Sequence, residues 1–228
     1  MAQMISEGFY KDYAQRYAEV SHGFIQSFYQ SSSHDGLDSD LDLITRMQEL
    51  IAGAARGLDA GCGAGARDVF LYWQAGFDIH GVDAVQENID LAKELHPEIA
   101  HRVSLVDLSK SIDYCDKSFD FVLCNAVIQH IRPELVMNTT LPELARILKH
   151  GGILQLLFKV GRGVKTVYDK DYDTDRTFQL YDDQDIVARC AQLDLEIVRE
   201  EGSRLGGTMF FKDPKPMDHC VFFARKIC

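Results

Sequence analysis

Basic residues are scarce in this chain: 24 Lys and Arg stand against 35 Asp and Glu, a net charge of -11 at pH 7. Most of such a surface repels a phosphate backbone, which argues against nucleic-acid binding outside a local basic groove. Long apolar runs are missing too. No stretch approaches the roughly 18 apolar residues of a membrane-spanning helix, and the opening MAQMISEGFYKDYAQRY lacks an apolar core suited to a signal peptide. The six cysteines, Cys62, Cys115, Cys124, Cys190, Cys220 and Cys228, show no CxxC spacing. Several lie in apolar runs, where a reduced thiol acts as a small hydrophobe. With no repeat or low-complexity tract either, these absences predict a cytoplasmic chain with no metal site and no membrane partner.

The 228 residues, 46% of them hydrophobic, suffice for one domain with a full core. From about residue 40 short apolar runs alternate with helical patterns. ARGLDA leads into a glycine loop, and ARDVFLYWQAG reads as a helix closed by Gly76. FDIHGVD is a strand, VQENIDLAKEL an amphipathic helix stopped before Pro97, and HRVSLVDL and SFDFVLCNAV are further strands. LPELARILKH, ILQLLFKV, DDQDIVARCAQL, LEIVREE and HCVFFARK continue the alternation. Such alternation predicts an α/β fold, a doubly wound, mostly parallel sheet with helices on both faces. Residues 41–228 form the expected domain, and residues 1–40 a helical cap or lid ending in the polar surface loop SSSHDGLDSD.

LDAGCGAGARD concentrates glycine where a strand meets a helix, and each glycine inside a helix costs roughly 0.5–1 kcal/mol against alanine. Bare backbone at Gly61, Gly63 and Gly65 lets a ligand approach main-chain N–H groups closely. A dinucleotide fold would use G-x-G-x-x-G. Here the third glycine comes one position early, and Asp59 stands before the loop. That carboxylate suits an amino group or a sulfonium better than a pyrophosphate. Asp83 ends the next strand, where an acid can hold both ribose hydroxyls. Asp107 ends the third and could accept from an adenine amino group, with Leu108 under the ring. Singly, each aspartate could be a helix cap or a turn residue; jointly they line one sheet edge. A ligand with a cationic amino-acid end, a ribose and an adenine fits that order, and S-adenosylmethionine is one. Cys62 invites a nucleophile reading, but no His or Asn is adjacent to it.

The series LDAGCGAG, GVDAVQENI, VDL, SFDFVLCNAVIQHI and LKHGGILQL resembles the class I S-adenosylmethionine-dependent methyltransferase family, its small-molecule branch most closely. The resemblance implies a Rossmann-like seven-stranded sheet, order 3-2-1-4-5-7-6, with HCVFFARK as the antiparallel strand. It implies that Asp59 and the loop Gly61, Cys62, Gly63 and Gly65 meet the methionine portion. Asp83 with Ala84 would bind the ribose, Asp107 and Leu108 the adenine, and Asn125 and Ala126 would line the wall beneath the sulfonium. FYKDYAQRY is similar to a Y-x-x-x-A-x-x-Y segment of the family that closes over the cofactor, which nominates Tyr13 and Tyr17. S-adenosylhomocysteine is the implied product and a small molecule the implied acceptor.

His130, after the fourth strand, is a candidate general base or acceptor ligand, with a purely structural histidine as the other reading. Downstream, Lys159 and Arg162 gather near a strand end, followed by Tyr168, Tyr172 and Tyr181. This stretch is either a substrate lid, a solvated connection anchored by aromatics, or a dimer contact. FKDPKPMDHC reads as a rigid loop. Three alternatives to a small-molecule methyltransferase stand beside it: a non-catalytic cofactor-binding module, a methyltransferase acting on protein or RNA, and, least favoured by the glycine spacing, a dehydrogenase.

Overall fold

A computed structural model describes residues 7–25, 27–53, 55–213 and 217–228. The chain opens with helices α1 (Glu7–Asp12) and α2 (Ala14–Phe24), the two-residue strand β1 (Ser31–Ser32) and helix α3 (Asp40–Leu50). Strict alternation then begins: β2 (Arg56–Ala60), α4 (Arg67–Gln74), β3 (Asp78–Asp83), α5 (Gln86–Leu95) and β4 (Val103–Leu105). It continues with β5 (Phe119–Asn125), α6 (Pro133–Leu135), α7 (Leu141–Ile147) and β6 (Leu148–Lys159). The hairpin β7 (Val164–Asp169) and β8 (Thr174–Gln179) precedes α8 (Asp183–Gln192). β9 (Leu195–Ile197), β10 (Met209–Lys212) and β11 (Asp218–Lys226) complete the sheet.

β4-β3-β2-β5-β6 run parallel, the expected order 3-2-1-4-5, and β11 joins them antiparallel. Beyond β11 the structure differs from the sequence reading. The place of a single sixth strand is taken by two: β9 pairs with Ala224–Lys226 and β10 with Asp218–Val221, both antiparallel to β11. β1 then pairs with β10 and adds an outer strand, so part of the SSSHDGLDSD loop belongs to the sheet. FKDPKPMDHC likewise begins and ends in strands, its residues 214–216 lying outside the described ones, as do residues 1–6 of the expected cap. The connection around Tyr168 is the β7–β8 hairpin, a small sheet of its own.

Burial on both sheet faces explains the nearly unbroken apolar runs. Along β5, Val122 and Cys124 enter one core while Phe121 and Leu123 enter the other. Along β6, Leu154, Leu156 and Phe158 alternate in the same way with Ile153 and Leu157. Each large side chain so buried contributes about 1.5–3 kcal/mol. Gln155 breaks the alternation: it is a buried polar residue, and its partner is Asn125 at the end of β5, Nε2 donating to Oδ1 at 2.9 Å. That pair marks where core gives way to a site.

Candidate functional site

The carboxyl ends of β2, β3 and β5 converge on two adjoining cavities, as expected for the ligand edge of such a sheet. The larger, about 160 Å³, is lined by Asp59, Gly61, Cys62, Arg67, Asp68, Tyr29, Phe211, Asp213 and His219, among others. The smaller, about 50 Å³, is lined by Asp83, Ala84, Asp107, Leu108, Tyr10 and His130. Tyr17, Gly61, Asn125 and Ala126 line both, so the two form one continuous edge.

The glycine loop has its backbone bare for steric reasons. Gly61 (φ 107°) and Gly63 (φ 64°) sit in the left-handed half of backbone space, and a Cβ at Gly61 would lie 2.2 Å from Val127 Cγ2. A Cβ at Gly63 would come within 2.7 Å of the Tyr17 ring. The N–H groups of Gly61 and Cys62 both donate to the Val82 carbonyl, at 2.8 and 2.9 Å, which ties the loop to β3. Gly61→Ala is expected to destabilise the protein by about 2–4 kcal/mol through backbone strain and overpacking. Urea denaturation checks this, and Val127→Ala in the same chain should restore only the packing part.

Asp83 is the loop's brace. Its Oδ2 accepts from Gly63 N–H at 3.0 Å, and Oδ1 from Val85 N–H at 2.9 Å and from Asn88 Nδ2 at 3.1 Å. Burial raises its pKa, and these donors, together with the Ala84 N–H, only partly offset the rise. Asp107 accepts from the N–H and hydroxyl of Ser109, at 2.9 and 2.6 Å, and pairs with Lys110 at 3.0 Å. Burial pushes its carboxyl up, but Ser109 and Lys110 outweigh that and leave it below the ordinary value.

Asp59 is only 4% exposed, and among the described residues no hydrogen bond reaches its carboxylate. Burial first, then the nearby Asp68, raise its pKa well above normal, against the pull of Arg67. A buried acid so placed gains most from a cation brought to it. Beside it runs a chain of hydrogen bonds along the cavity wall. Asn125 Nδ2 donates to Asp68 at 3.3 Å, Arg67 to Asp68 at 2.7 Å and to Asp40 at 2.8 Å, and the Tyr29 hydroxyl to Asp40 at 2.6 Å. Cys62 lines the same cavity, with its thiol pushed well up by burial and by Asp83, the opposite of an activated nucleophile.

His130 is buried, its Nε2 3.0 Å from the Tyr10 hydroxyl, which also accepts from Arg176 at 2.8 Å. Burial, then Arg176 and Lys159, hold the imidazole well below its usual pKa, and hence neutral at pH 7. Of the other nominated residues, Gly65, Tyr13, Arg162, Tyr168, Tyr172 and Tyr181 line neither cavity. Arg162 is exposed and paired with Asp182 at 2.8 Å, and Tyr168 is exposed and bonded to Asp173. Tyr181 donates to the Ile131 carbonyl at 2.7 Å from within the core. Tyr172 is buried against Phe9 and Arg176. Lys159 is buried and bonded to His219 at 2.8 Å.

Sequence reading missed Tyr10, Asp40, Arg67, Asp68, Asn88 and His219. Two of these left a signal. Arg67 and Asp68 open the helix directly after the glycine loop, where side chains face a bound ligand. Tyr10 stands seven residues before Tyr17, one helical face along, and the two rings meet at 5.1 Å. His219 and Asp40 are distant in the chain from every motif.

Residues 58–156 match the family described as methyltransferase domain. Over 97 residues the chain is 32% identical to 2-methyl-6-phytyl-1,4-hydroquinone methyltransferase of Synechocystis, covering 42% of this chain and 30% of that protein. Over 83 residues it is 36% identical to ubiquinone biosynthesis O-methyltransferase of Rickettsia bellii, covering 36% and 34%. The chain thus spans about a third of the length of the curated relatives it matches. Among solved structures, the [4+2]-cyclase SpnF superposes with a TM-score of 0.67 at 19% identity, covering 97% of this chain and 94% of that one. A TehB-like methyltransferase of Corynebacterium glutamicum gives 0.63 at 22%, covering 96% and 98%. Residues 58–156 thus match a methyltransferase domain, and the fold around them is the one seen in S-adenosylmethionine-dependent methyltransferases.

Proposed function

We propose that this protein binds S-adenosylmethionine across the two cavities and transfers its methyl group to a small-molecule acceptor. The observation that carries the reading is Asp59, a buried carboxylate facing bare glycine backbone in a cavity continuous with Asp83 and Asp107. The residues fit the cofactor in order: Asp59 the amino group, Gly61 to Gly63 the methionine backbone, Asp83 with Ala84 the ribose, Asp107 and Leu108 the adenine. When bound, the cofactor supplies an electrophilic methyl on a sulfonium. The chain's own share is alignment and exclusion of water, with Asn125 and Ala126 forming the floor between the two halves. Tyr10 and Tyr17 line the smaller cavity, and α1 and α2 act as a lid over it. The curated relatives named above carry quinone-pathway and O-methyltransferase names, which supports a small acceptor. SpnF, a cyclase by name, keeps a second reading open, cofactor binding without methyl transfer.

Isothermal titration with S-adenosylhomocysteine tests the first half of this reading, and no binding at high micromolar concentration overturns it. Asp59→Asn is expected to weaken binding about tenfold or more, the share of one charge-assisted bond. Because burial raises the Asp59 pKa, a cation arriving there favours the ionised acid. Binding should therefore release protons and tighten as pH rises. Titrations in buffers of different ionisation heat read that release, and a proton uptake of equal size would contradict the placement.

A further inference from the structure

Beyond the cofactor half, the larger cavity ends in a row of three rings. Tyr29 stacks on Phe211 at 3.9 Å, and Phe211 on His219 at 5.0 Å, with interplanar angles of 15° and 11°. All three line the cavity. His219 begins β11 and Lys159 ends β6, and the antiparallel register places them directly opposite. The Lys159 ammonium has its nitrogen 2.8 Å from His219 Nε2 and 4.8 Å from the centre of the Phe178 ring. Asp213 Oδ2 lies 3.8 Å from the same Nε2. Both members of the Lys159–His219 couple are buried, at 6% and 3% exposure.

Two cations cannot share a hydrogen bond, so one nitrogen of the couple is a lone-pair acceptor, and the couple can take up one proton. Resting on the methyltransferase reading above, we infer that His219 is the proton acceptor of the transfer, with Lys159 as its positioning residue. The acceptor is therefore a flat ring that bears an O–H or N–H nucleophile and packs beside Tyr29, Phe211 and His219. In the step, the nucleophile's lone pair forms the bond to the methyl carbon and the pair of the breaking carbon–sulfur bond goes to sulfur. The nucleophile's proton goes to His219 Nε2. The Lys159 ammonium, displaced from Nε2, keeps its seat on the Phe178 face, and the new imidazolium faces the Asp213 carboxylate.

The charged groups that face His219 are Lys159 from β6 and Asp213 from the end of β10. Burial, then the Lys159 charge, lower the imidazole pKa well below its usual value, against a smaller opposing effect of the Met217 carbonyl. His219 is thus neutral at pH 7, its Nε2 bonded to Lys159 until the step displaces it, and it is protonated only well below pH 6.5. His130 lines the other cavity and is held by Tyr10, which leaves it the cofactor's neighbour.

The test measures methyl transfer from radiolabelled S-adenosylmethionine to catechol and aniline, which carry a proton on the nucleophile, and to pyridine and dimethyl sulfide, which carry none. Transfer is expected only to the first pair. His219→Gln should lower kcat at pH 7 by about 100-fold or more, with the loss shrinking at high pH as catechol ionises by itself. S-adenosylhomocysteine affinity should stay unchanged. Lys159→Arg should keep most activity, and Lys159→Met should move the acid limb of the kcat profile upward. His219→Gln with unchanged kcat, or transfer confined to pyridine and dimethyl sulfide, overturns the inference. So does the absence of transfer to all four in a protein that binds S-adenosylhomocysteine. Failure to bind S-adenosylhomocysteine instead overturns the methyltransferase reading itself. Histidine NMR on the wild-type chain covers a misfolded variant: a His219 midpoint at or above pH 6.5 refutes the neutral base.

Discussion

Asp83→Ala is expected to weaken S-adenosylhomocysteine binding about 100-fold or more. One carboxylate accepts from the Gly63 N–H, the Val85 N–H and Asn88, so its removal frees both the glycine loop and the turn after β3. The two backbone donors, the Gly63 and Val85 N–H groups, then stay buried beside the alanine, each costing about 1–3 kcal/mol when left without an acceptor. That sum, about 2–6 kcal/mol, brackets the 2.7 kcal/mol or so that a 100-fold loss requires, before any hydroxyl contact is counted. Asp83→Asn separates the parts. An amide keeps one acceptor oxygen, which can serve Val85 or Gly63 but not both with a ribose, so about a tenfold loss is expected. Titration calorimetry reads the affinities, and hydrogen exchange at Gly63 reads the loop. Equal affinity in wild type and alanine variant would remove Asp83 from the site.

The parts of the site legible in sequence are those where backbone conformation constrains the letters. Gly61 and Gly63 need positive φ, and Asp59 and Asp83 lie at the carboxyl ends of β2 and β3, with Asp107 two residues beyond β4. The alternation predicts a mostly parallel sheet, and the five-strand order is what the family resemblance implies. What stayed hidden depends on pairing across long separations. Nothing near Lys159 announces His219, because only the antiparallel register of β11 on β6 brings them together. The split of the edge strand into β9 and β10 was obscured because residues 199–208 interrupt it and Met209–Lys212 is too short to show a period. Lys159, Arg162, Tyr168, Tyr172 and Tyr181 look alike in sequence as a polar, aromatic lid. A hairpin turns alternate residues to opposite faces: in β7, Tyr168 is exposed while the adjacent Asp169 is buried.

Arg176→Met is expected to cost about 3–5 kcal/mol, because it strips the partner from a buried carboxylate. Arg176 donates to Asp169 at 3.1 Å, and the two side chains are 10% and 3% exposed. The same guanidinium lies 4.5 Å from the Phe9 ring, 4.9 Å from Phe178 and 5.0 Å from Tyr172, and donates to the Tyr10 hydroxyl at 2.8 Å. A single side chain on β8 therefore fastens helix α1 to the β7–β8 hairpin, segments some 165 residues apart. Arg16 adds a second tie, its Nε donating to the Asp171 carbonyl at 2.9 Å. If α1 and α2 open for the cofactor, this is the latch they open against, and Tyr10 carries its release to His130. Arg176→Met should then raise hydrogen exchange in residues 7–13 and 164–179 well above that of β5 and β6, and speed both entry and exit of S-adenosylhomocysteine. Asp169→Asn combined with Arg176→Met removes the stranded charge and should recover most of the stability without restoring the slow exit. Recovery of both would make the latch a matter of fold stability alone; recovery of stability only makes it a gate.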